Sequence, residues 1–96
     1  MTVHPRVSVV LVNYNGADDT LTALEGIQAL NWPAEQLEVI VVDNASADDS
    51  VLKLQAAPGI TLIQSEENLG FAGGCNLGVS SSNGEIVAFL NNDATP

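Results

Sequence analysis

Two short, β-branched, almost continuously apolar runs constrain this chain first. VSVVLV covers Val7 to Val12, and LEVIVV covers Leu37 to Val42. Runs of this kind suit strands covered on both faces, as in parallel sheets. Parallel strands need crossovers, and the intervening segments supply them. NYNG ends the first run as a turn, and Asp18, Asp19 and Thr20 offer an acidic, cap-capable helix start. Leu21, Leu24, Ile27 and Leu30 follow as one stripe, and Asn31-Trp32-Pro33 stops it. After the second run, Ser46 with Asp49 resembles a capping box opening a helix that carries Val51, Leu52 and Leu54 and ends before Pro58-Gly59. ITLIQ (Ile60 to Gln64) reads as a third strand. ENLGFAGGCNLGVSSSNG reads as a glycine-rich loop entering a helix with Ala72, Cys75 and Val79 on one face and Gly84 just past its end. EIVAFL (Glu85 to Leu90) is a fourth strand, and NNDATP follows it. The order βαβαβαβ predicts an α/β fold with a parallel sheet and right-handed crossovers.

Charge narrows the function classes. The 96 residues carry 12 acidic and two basic side chains, a formal net charge of −10. Binding to a nucleic-acid backbone needs Lys and Arg to replace counterions, so the balance argues against it. It argues equally against a polybasic membrane patch. One Cys cannot build an intramolecular disulfide or a four-Cys zinc site. No apolar run approaches the roughly 20 residues that span a bilayer, and no apolar stretch of a secretory signal opens the chain. The expectation is a single cytoplasmic domain.

The apolar runs end in amides and carboxylates. Strand one ends at Asn13, Tyr14 and Asn15, strand two at Asp43 and Asn44, and strand four at Asn91, Asn92 and Asp93. Open α/β sheets bind ligands outside these carboxyl ends. Asn and Asp also favour turns and caps, which accounts for Asp18, Asp19, Asp48 and Asp49. Asp43 and Asp93 follow their strands directly and stand out as a candidate site pair. The phosphate-binding fingerprints G-x-G-x-x-G and G-x-x-x-x-G-K-[ST] are absent. The glycine-rich segment from Gly70 to Gly78 could offer backbone N–H groups at a helix start, or serve only for tight packing. With Arg6 and Lys53 as the only Arg and Lys, an anionic ligand calls for a cation to relieve repulsion. Mg²⁺ sites commonly use one or two carboxylates plus substrate phosphates. Asp93 is the best ligand for it, with Asn91 and Asn92 beside it.

Four segments together resemble a known family: VSVVLVNYNGADDTLTALEGI, LEVIVVDNASADDS, ENLGFAGGCNLGV and VAFLNNDATP. In this order and spacing they resemble the opening of family-2 glycosyltransferases, and within them the rhamnosyltransferase-like branch of polysaccharide and cell-wall assembly. The resemblance implies a Rossmann-like GT-A half-domain with strand order 3-2-1-4 and helices on both faces. It implies an inverting, metal-assisted transfer of sugar from a nucleotide-diphosphate donor to an acceptor hydroxyl. Val12, Asn13 and Tyr14 would line the nucleotide pocket, with Tyr14 against the base. Asp43 would bind the N–H edge of uracil or thymine in a UDP- or dTDP-type donor. Asn68, Gly70 and Asn76 would lie near the ribose and diphosphate. Asn91-Asn92-Asp93 takes the place of the D-x-D metal motif, leaving Asp93 as ligand to Mg²⁺ or Mn²⁺ and Asn92 beside the donor. The acceptor would be a glycan or a lipid-linked sugar, with association with membrane in a longer form. The catalytic base would lie beyond residue 96, so the segment is expected to be the donor-binding part, truncated after the metal motif and inactive alone.

Other residues read more plainly. Glu85 begins a strand at the wrong end of the sheet for a base, and Glu66-Glu67 reads as a solvated loop. His4 reads as an exposed terminus, Cys75 as a near-core thiol, Trp32 as helix-end packing, and the sequon Asn44-Ala45-Ser46 as chance. Three rivals stay open: a sugar-nucleotide pyrophosphorylase, a receiver-type signalling module, and a catalytically idle nucleotide-binding half-domain. The first lacks its glycine-rich loop with a following Lys here, and the second its acidic pair after strand one. Strand four would be an apolar unpaired edge, which invites a homo-oligomer.

Overall fold

A computed structural model describes residues 6–29 and 34–91. The elements are β1 (Val7–Asn13), α1 (Ala17–Gln28), β2 (Leu37–Asn44), α2 (Ser50–Gln55), β3 (Thr61–Ser65), α3 (Gly70–Ser80) and β4 (Ile86–Asn91), with a 3-10 turn at Ala34–Gln36 before β2. The four strands form one parallel sheet of order β3-β2-β1-β4, as the resemblance implied. Leu30, Asn31, Trp32, Pro33, His4, Asn92 and Asp93 lie outside the described residues.

Alternating side chains of the central strands fill two cores. Val9, Leu11, Val39 and Val41 pack beneath α1 and α2 with Ala17, Leu24, Ile27 and Leu54. Val10, Ile40 and Val42 pack on the other face with Leu77 of α3. Helices therefore cover both faces, and this is why β1 and β2 are apolar at nearly every position. Burying each such side chain contributes about 1.5–3 kcal/mol.

α3 departs from its expected face. Ala72 and Val79 are exposed, and Gly74, Cys75 and Gly78 are buried instead. A Cβ on Gly74 would lie 2.9 Å from Val12 Cγ1, and one on Gly78 would overlap Val10 Cγ1. The helix backbone itself rests on the valines, so the small residues form the buried face. α3 also stops at Ser80, before Gly84. The Ser80 and Ser82 hydroxyls donate to the carbonyls of Leu77 and Val79, satisfying acceptors the helix end leaves open.

Both other helix starts differ too. Gly16 is the N-cap of α1, and Thr20 is buried rather than capping. Asp49 is the N-cap of α2, so Ser46 forms no capping box. Each side chain is drawn instead into a polar cluster at the strand ends.

Candidate functional site

The β1–β2 register sets Asn13 directly beside Asp43, 30 positions away in sequence. Asp43 is 1% exposed. A carboxylate sealed to that degree needs donors around it. Asn13 Nδ2 donates to Asp43 Oδ1 at 2.9 Å, and Ser46 Oγ donates to the same oxygen at 2.6 Å. Ser46 N donates to Oδ2 at 3.0 Å. Behind them, Thr20 Oγ1 donates to Asn13 Oδ1 at 2.7 Å. Thr20 thereby orients the Asn13 amide so that its NH₂ faces the carboxylate.

The two strand-to-helix turns are sewn together above this pair. Asn15 N donates to Ser46 Oγ at 2.9 Å. Asn15 Oδ1 accepts from Ala47 N at 2.8 Å and Asp48 N at 3.3 Å. Asn15 and Ala45 both hold positive φ, 50° and 62°. Asn is among the residues that best tolerate this conformation. Tyr14, between the two asparagines, is 42% exposed at the open end of β1.

A second amide fixes the approach to α3. Asn44 is 2% exposed. Its Nδ2 donates to Gly70 O at 2.9 Å, and its Oδ1 accepts from Leu69 N at 3.3 Å. Asn68 Oδ1 accepts from Gly70 N at 2.8 Å. Gly70 turns the chain into the helix at φ 74°, a conformation glycine reaches without penalty. In the sequence Asn44 reads as a strand-end amide and part of a sequon; its buried, engaged amide is a positioning group.

The expected site residues therefore divide. Asn13, Tyr14 and Asp43 converge at the ends of β1 and β2, and Asn68 and Gly70 form the adjoining turn. Val12 is buried beneath α3, packed on Gly74. Asn76 is exposed on the second turn of α3. Asn92 and Asp93 lie outside the described residues. Among the described residues, no group of three or more His, Cys, Asp or Glu could hold a metal ion. No described helix is long and apolar enough to cross a membrane.

Electrostatics favour one side of the cluster. Between the first turns of α1 and α2 lies a cavity of about 300 Å³, lined by Asn15, Asp18, Asp19, Asp48, Asp49 and Lys53. Lys53 Nζ lies 3.0 Å from Asp18 and 3.7 Å from Asp49, and these partners, Asp18 first, raise its pKa. Four carboxylates around one ammonium repel a diphosphate. The α3 side presents a helix start, preceded in the chain by the exposed Glu66 and Glu67. The larger cavity, about 390 Å³, lies in the α1–α2 groove toward the helix C-termini, away from the strand ends. Cys75 is buried within α3, and burial pushes its thiol pKa up, as suits a packed rather than a nucleophilic cysteine.

The profile of Glycosyl transferase family 2 matches residues 8–96. The chain belongs to that family. Among its curated relatives is Glycosyltransferase AglE of Haloferax volcanii, 31% identical over 96% of this chain and 32% of AglE. Another is the succinoglycan biosynthesis protein ExoO of Rhizobium meliloti, 36% identical over 95% of this chain and 26% of ExoO. The chain thus spans about a third or less of these relatives. Among solved structures, the mannosyltransferase PcManGT of Pyrobaculum calidifontis, in complex with GDP-Man and Mn²⁺, matches 97% of this chain and 29% of its own, with TM-score 0.87 and 33% identity. S. aureus TarS 1-349 in complex with UDP matches 92% of this chain and 27% of its own, with TM-score 0.83 and 26% identity. Its family neighbours give the sheet its name, the GT-A fold.

Proposed function

We propose that these residues form the donor-binding part of a glycosyltransferase that moves a sugar from a nucleotide diphosphate to an acceptor hydroxyl. The observation that carries this is the match of nearly the whole chain to a mannosyltransferase holding GDP-Man and Mn²⁺. A UDP complex and a UDP-GlcNAc complex among the other structural neighbours support the same ligand class. ExoO's role in succinoglycan biosynthesis supports a glycan or lipid-linked acceptor and polysaccharide assembly.

In this reading the base lies over the ends of β1 and β2. Tyr14 offers an exposed ring to its face, and Asp43, 1% exposed beneath the turn that carries Ser46, becomes an acceptor to its N–H edge only once that turn moves aside. A carboxylate has about four acceptor positions. Among the described residues three are taken, two on Oδ1 and one on Oδ2. Uracil, thymine and guanine all present a ring N–H beside a carbonyl, so the donor class widens from UDP and dTDP to include GDP. The diphosphate lies toward Asn68 and Gly70, away from the acidic α1–α2 cavity. A divalent cation, Mg²⁺ or Mn²⁺, with Asp93 as its carboxylate ligand and Asn92 beside it, is part of the proposal. Its support is the Mn²⁺ in PcManGT and this chain's charge of −10. Such an ion, when bound, offsets charge on the leaving diphosphate. Inversion requires a base for the acceptor hydroxyl. Glu85 precedes β4 at the opposite end of the sheet, its N–H bonded to Arg6 O, so we place the base outside these residues and expect binding without turnover. Copies are further proposed to associate through β4.

Calorimetric titration of the 96-residue chain with UDP and GDP, with and without Mn²⁺, tests the reading. Metal-dependent binding is expected, weakened at least tenfold by Asp43→Ala and made metal-independent or lost by Asp93→Ala. Folded protein that takes up no nucleotide at millimolar concentration with Mn²⁺ would overturn it.

A further inference from the structure

The groove between α1 and α2 lies away from the strand ends, and the donor-binding reading leaves it unused. Leu21, Glu25 and Gln28 recur at i, i+4 and i+7 and form its α1 wall. Lys53, Ala56 and Ala57 form the α2 wall. Leu24, 3% exposed, lines it from beneath. Pro58 lies past the end of α2, and its carbonyl accepts from Gln28 Nε2 at 3.2 Å, which ties the two walls together. The space between them is about 390 Å³. Leu52, the most exposed large apolar side chain among the described residues at 71%, stands one turn before Ala56 on the same face of α2.

The rim of this apolar groove is negative. Lys53 lines both the groove and the acidic cavity at the helix starts, so the two adjoin. The helix dipole favours carboxylates in a first turn, which accounts for Asp18, Asp19 and Asp49. It does not account for Glu25. That residue stands in the last turn of α1, where the dipole disfavours negative charge and no basic side chain offsets it. Lys53 is paired with Asp18 and Asp49, and among the described residues neither Asp19 nor Glu25 forms an ion pair.

We propose that the α1–α2 groove is a docking site for a basic amphipathic helix of a partner protein. Its apolar stripe lies between Leu21, Leu24 and Ala56, and its Lys or Arg side chains meet Glu25 and Asp19. A third helix laid over two others packs ridge into groove and reads the walls through side chains alone. An extended peptide needs open backbone donors and acceptors, which helix walls do not offer. Charge decides between the remaining occupants. A second copy of this chain carries −10 and an anionic membrane surface is negative as well, so the rim repels both and attracts a basic partner. The 12 residues of α1 run for about 18 Å, enough for about three turns of the partner.

The probe is a labelled peptide of Leu and Lys, about 14 residues long with its leucines at helical spacing, followed by fluorescence anisotropy on the 96-residue chain. It is expected to bind about tenfold more tightly than a peptide of the same composition in which Leu and Lys alternate. Ala56→Gln, which fills the groove from an exposed position without changing charge, weakens binding by about tenfold. If that variant does not fold, as judged by its thermal midpoint, Leu52→Gln replaces it and is expected to show the same direction. Asp19→Asn with Glu25→Gln weakens binding by about tenfold at low salt, whereas Glu66→Gln with Glu67→Gln, the same change in net charge, leaves it within about twofold. Equal losses from the two charge pairs would reveal only diffuse attraction to an acidic chain and overturn the site. Affinity unchanged by filling the groove, or equal for the two peptides, overturns it too. Self-association that Ala56→Gln abolishes, with no peptide bound, would make the occupant a second copy and refute a basic partner. None of these outcomes depends on whether UDP binds, so the donor-binding reading stands or falls separately.

Discussion

Glu38 shows how much one side chain can organise at the end of the sheet opposite the site. Ser8 Oγ donates to its Oε1 at 2.7 Å, Asn83 N donates to the same oxygen at 2.8 Å, and Gly84 N donates to Ser8 Oγ at 2.9 Å. The group ties the α3–β4 connection to the starts of β1 and β2. The Asn83 N–H foremost lowers its pKa from the usual 4.5; burial opposes this, and the Ser8 hydroxyl, the Asn83 side chain and the Arg6 charge add smaller lowering effects. The folded state therefore favours the ionised carboxylate. Its contribution is fully present above the unfolded value and is lost as pH falls below 4.5 through the folded value. Glu38→Gln is expected to cost about 1 kcal/mol or more near pH 7. The difference in thermal midpoint between wild type and variant should shrink as pH falls from about 6 to about 3, since protonation imposes the same loss on Glu38. A gap independent of pH would show that charge has no part in it. At the other end of the sheet, Asn44 spends both ends of its amide on Leu69 and Gly70, and only contact between distant segments reveals it.

At the scale of elements, α3 and α1 use glycine for opposite reasons. Gly78 is buried where α3 meets β1 and β2, and an added methyl would strike Val10 Cγ1 and come within 3.3 Å of Val42 Cγ2. Gly78→Ala is expected to push α3 outward and destabilise by about 1–3 kcal/mol. Gly26 is exposed on α1, and nothing lies within 4 Å of where its Cβ would be. Gly26→Ala should therefore stabilise, by about 0.5–1 kcal/mol, through helix propensity alone. Urea denaturation with unchanged slope would read both signs, and a stable Gly78→Ala would refute the close packing of α3. Because α3 begins at the Asn68–Gly70 turn, an outward shift there also moves that side of the proposed donor site.

For the whole molecule, β4 is the edge strand that exposes large apolar side chains among the described residues. Its described neighbour in the sheet is β1, and Ile86, Phe89 and Leu90 are 50%, 44% and 42% exposed. By register Ile86 and Leu90 share the α1–α2 face with Val7 and Leu11, and Phe89 shares the α3 face with Val10. An open edge with apolar side chains on both faces is a template for pairing. The charge of −10 opposes it, since copies repel. Self-association is therefore expected to strengthen with ionic strength, as screening shortens from roughly 30 Å at 0.01 M to 10 Å at 0.1 M. Sedimentation at low and high salt measures this, and Ile86→Lys with Leu90→Lys should abolish it. A chain that stays monomeric at high salt and high concentration would rule out β4 as the contact.

What the sequence determined is the part carried by period and order. Val7 to Val12 and Leu37 to Val42 suit buried parallel strands, the segments between them suit crossovers, and that order gathers the strand ends at one edge. The convergence of Asn13, Tyr14 and Asp43 at the strand ends was legible for that reason, and so was family membership, through motifs that are contiguous in the chain. The tertiary structure decided which partner each polar group takes, whether three or seven residues away, as for Ser46 and Thr20, or about 25–75 away, as for Asn13, Asn44 and Gly84. It made Ser46 and Thr20 into partners of Asp43 and Asn13 rather than caps, gave Asn44 to α3, and chose Gly74 and Gly78 over Ala72 and Val79 as the buried face. A hydroxyl satisfies whichever group reaches it, and a helix buries whichever face lets its backbone come closest. Neither outcome is written in local pattern, because both are settled by what the sheet brings alongside.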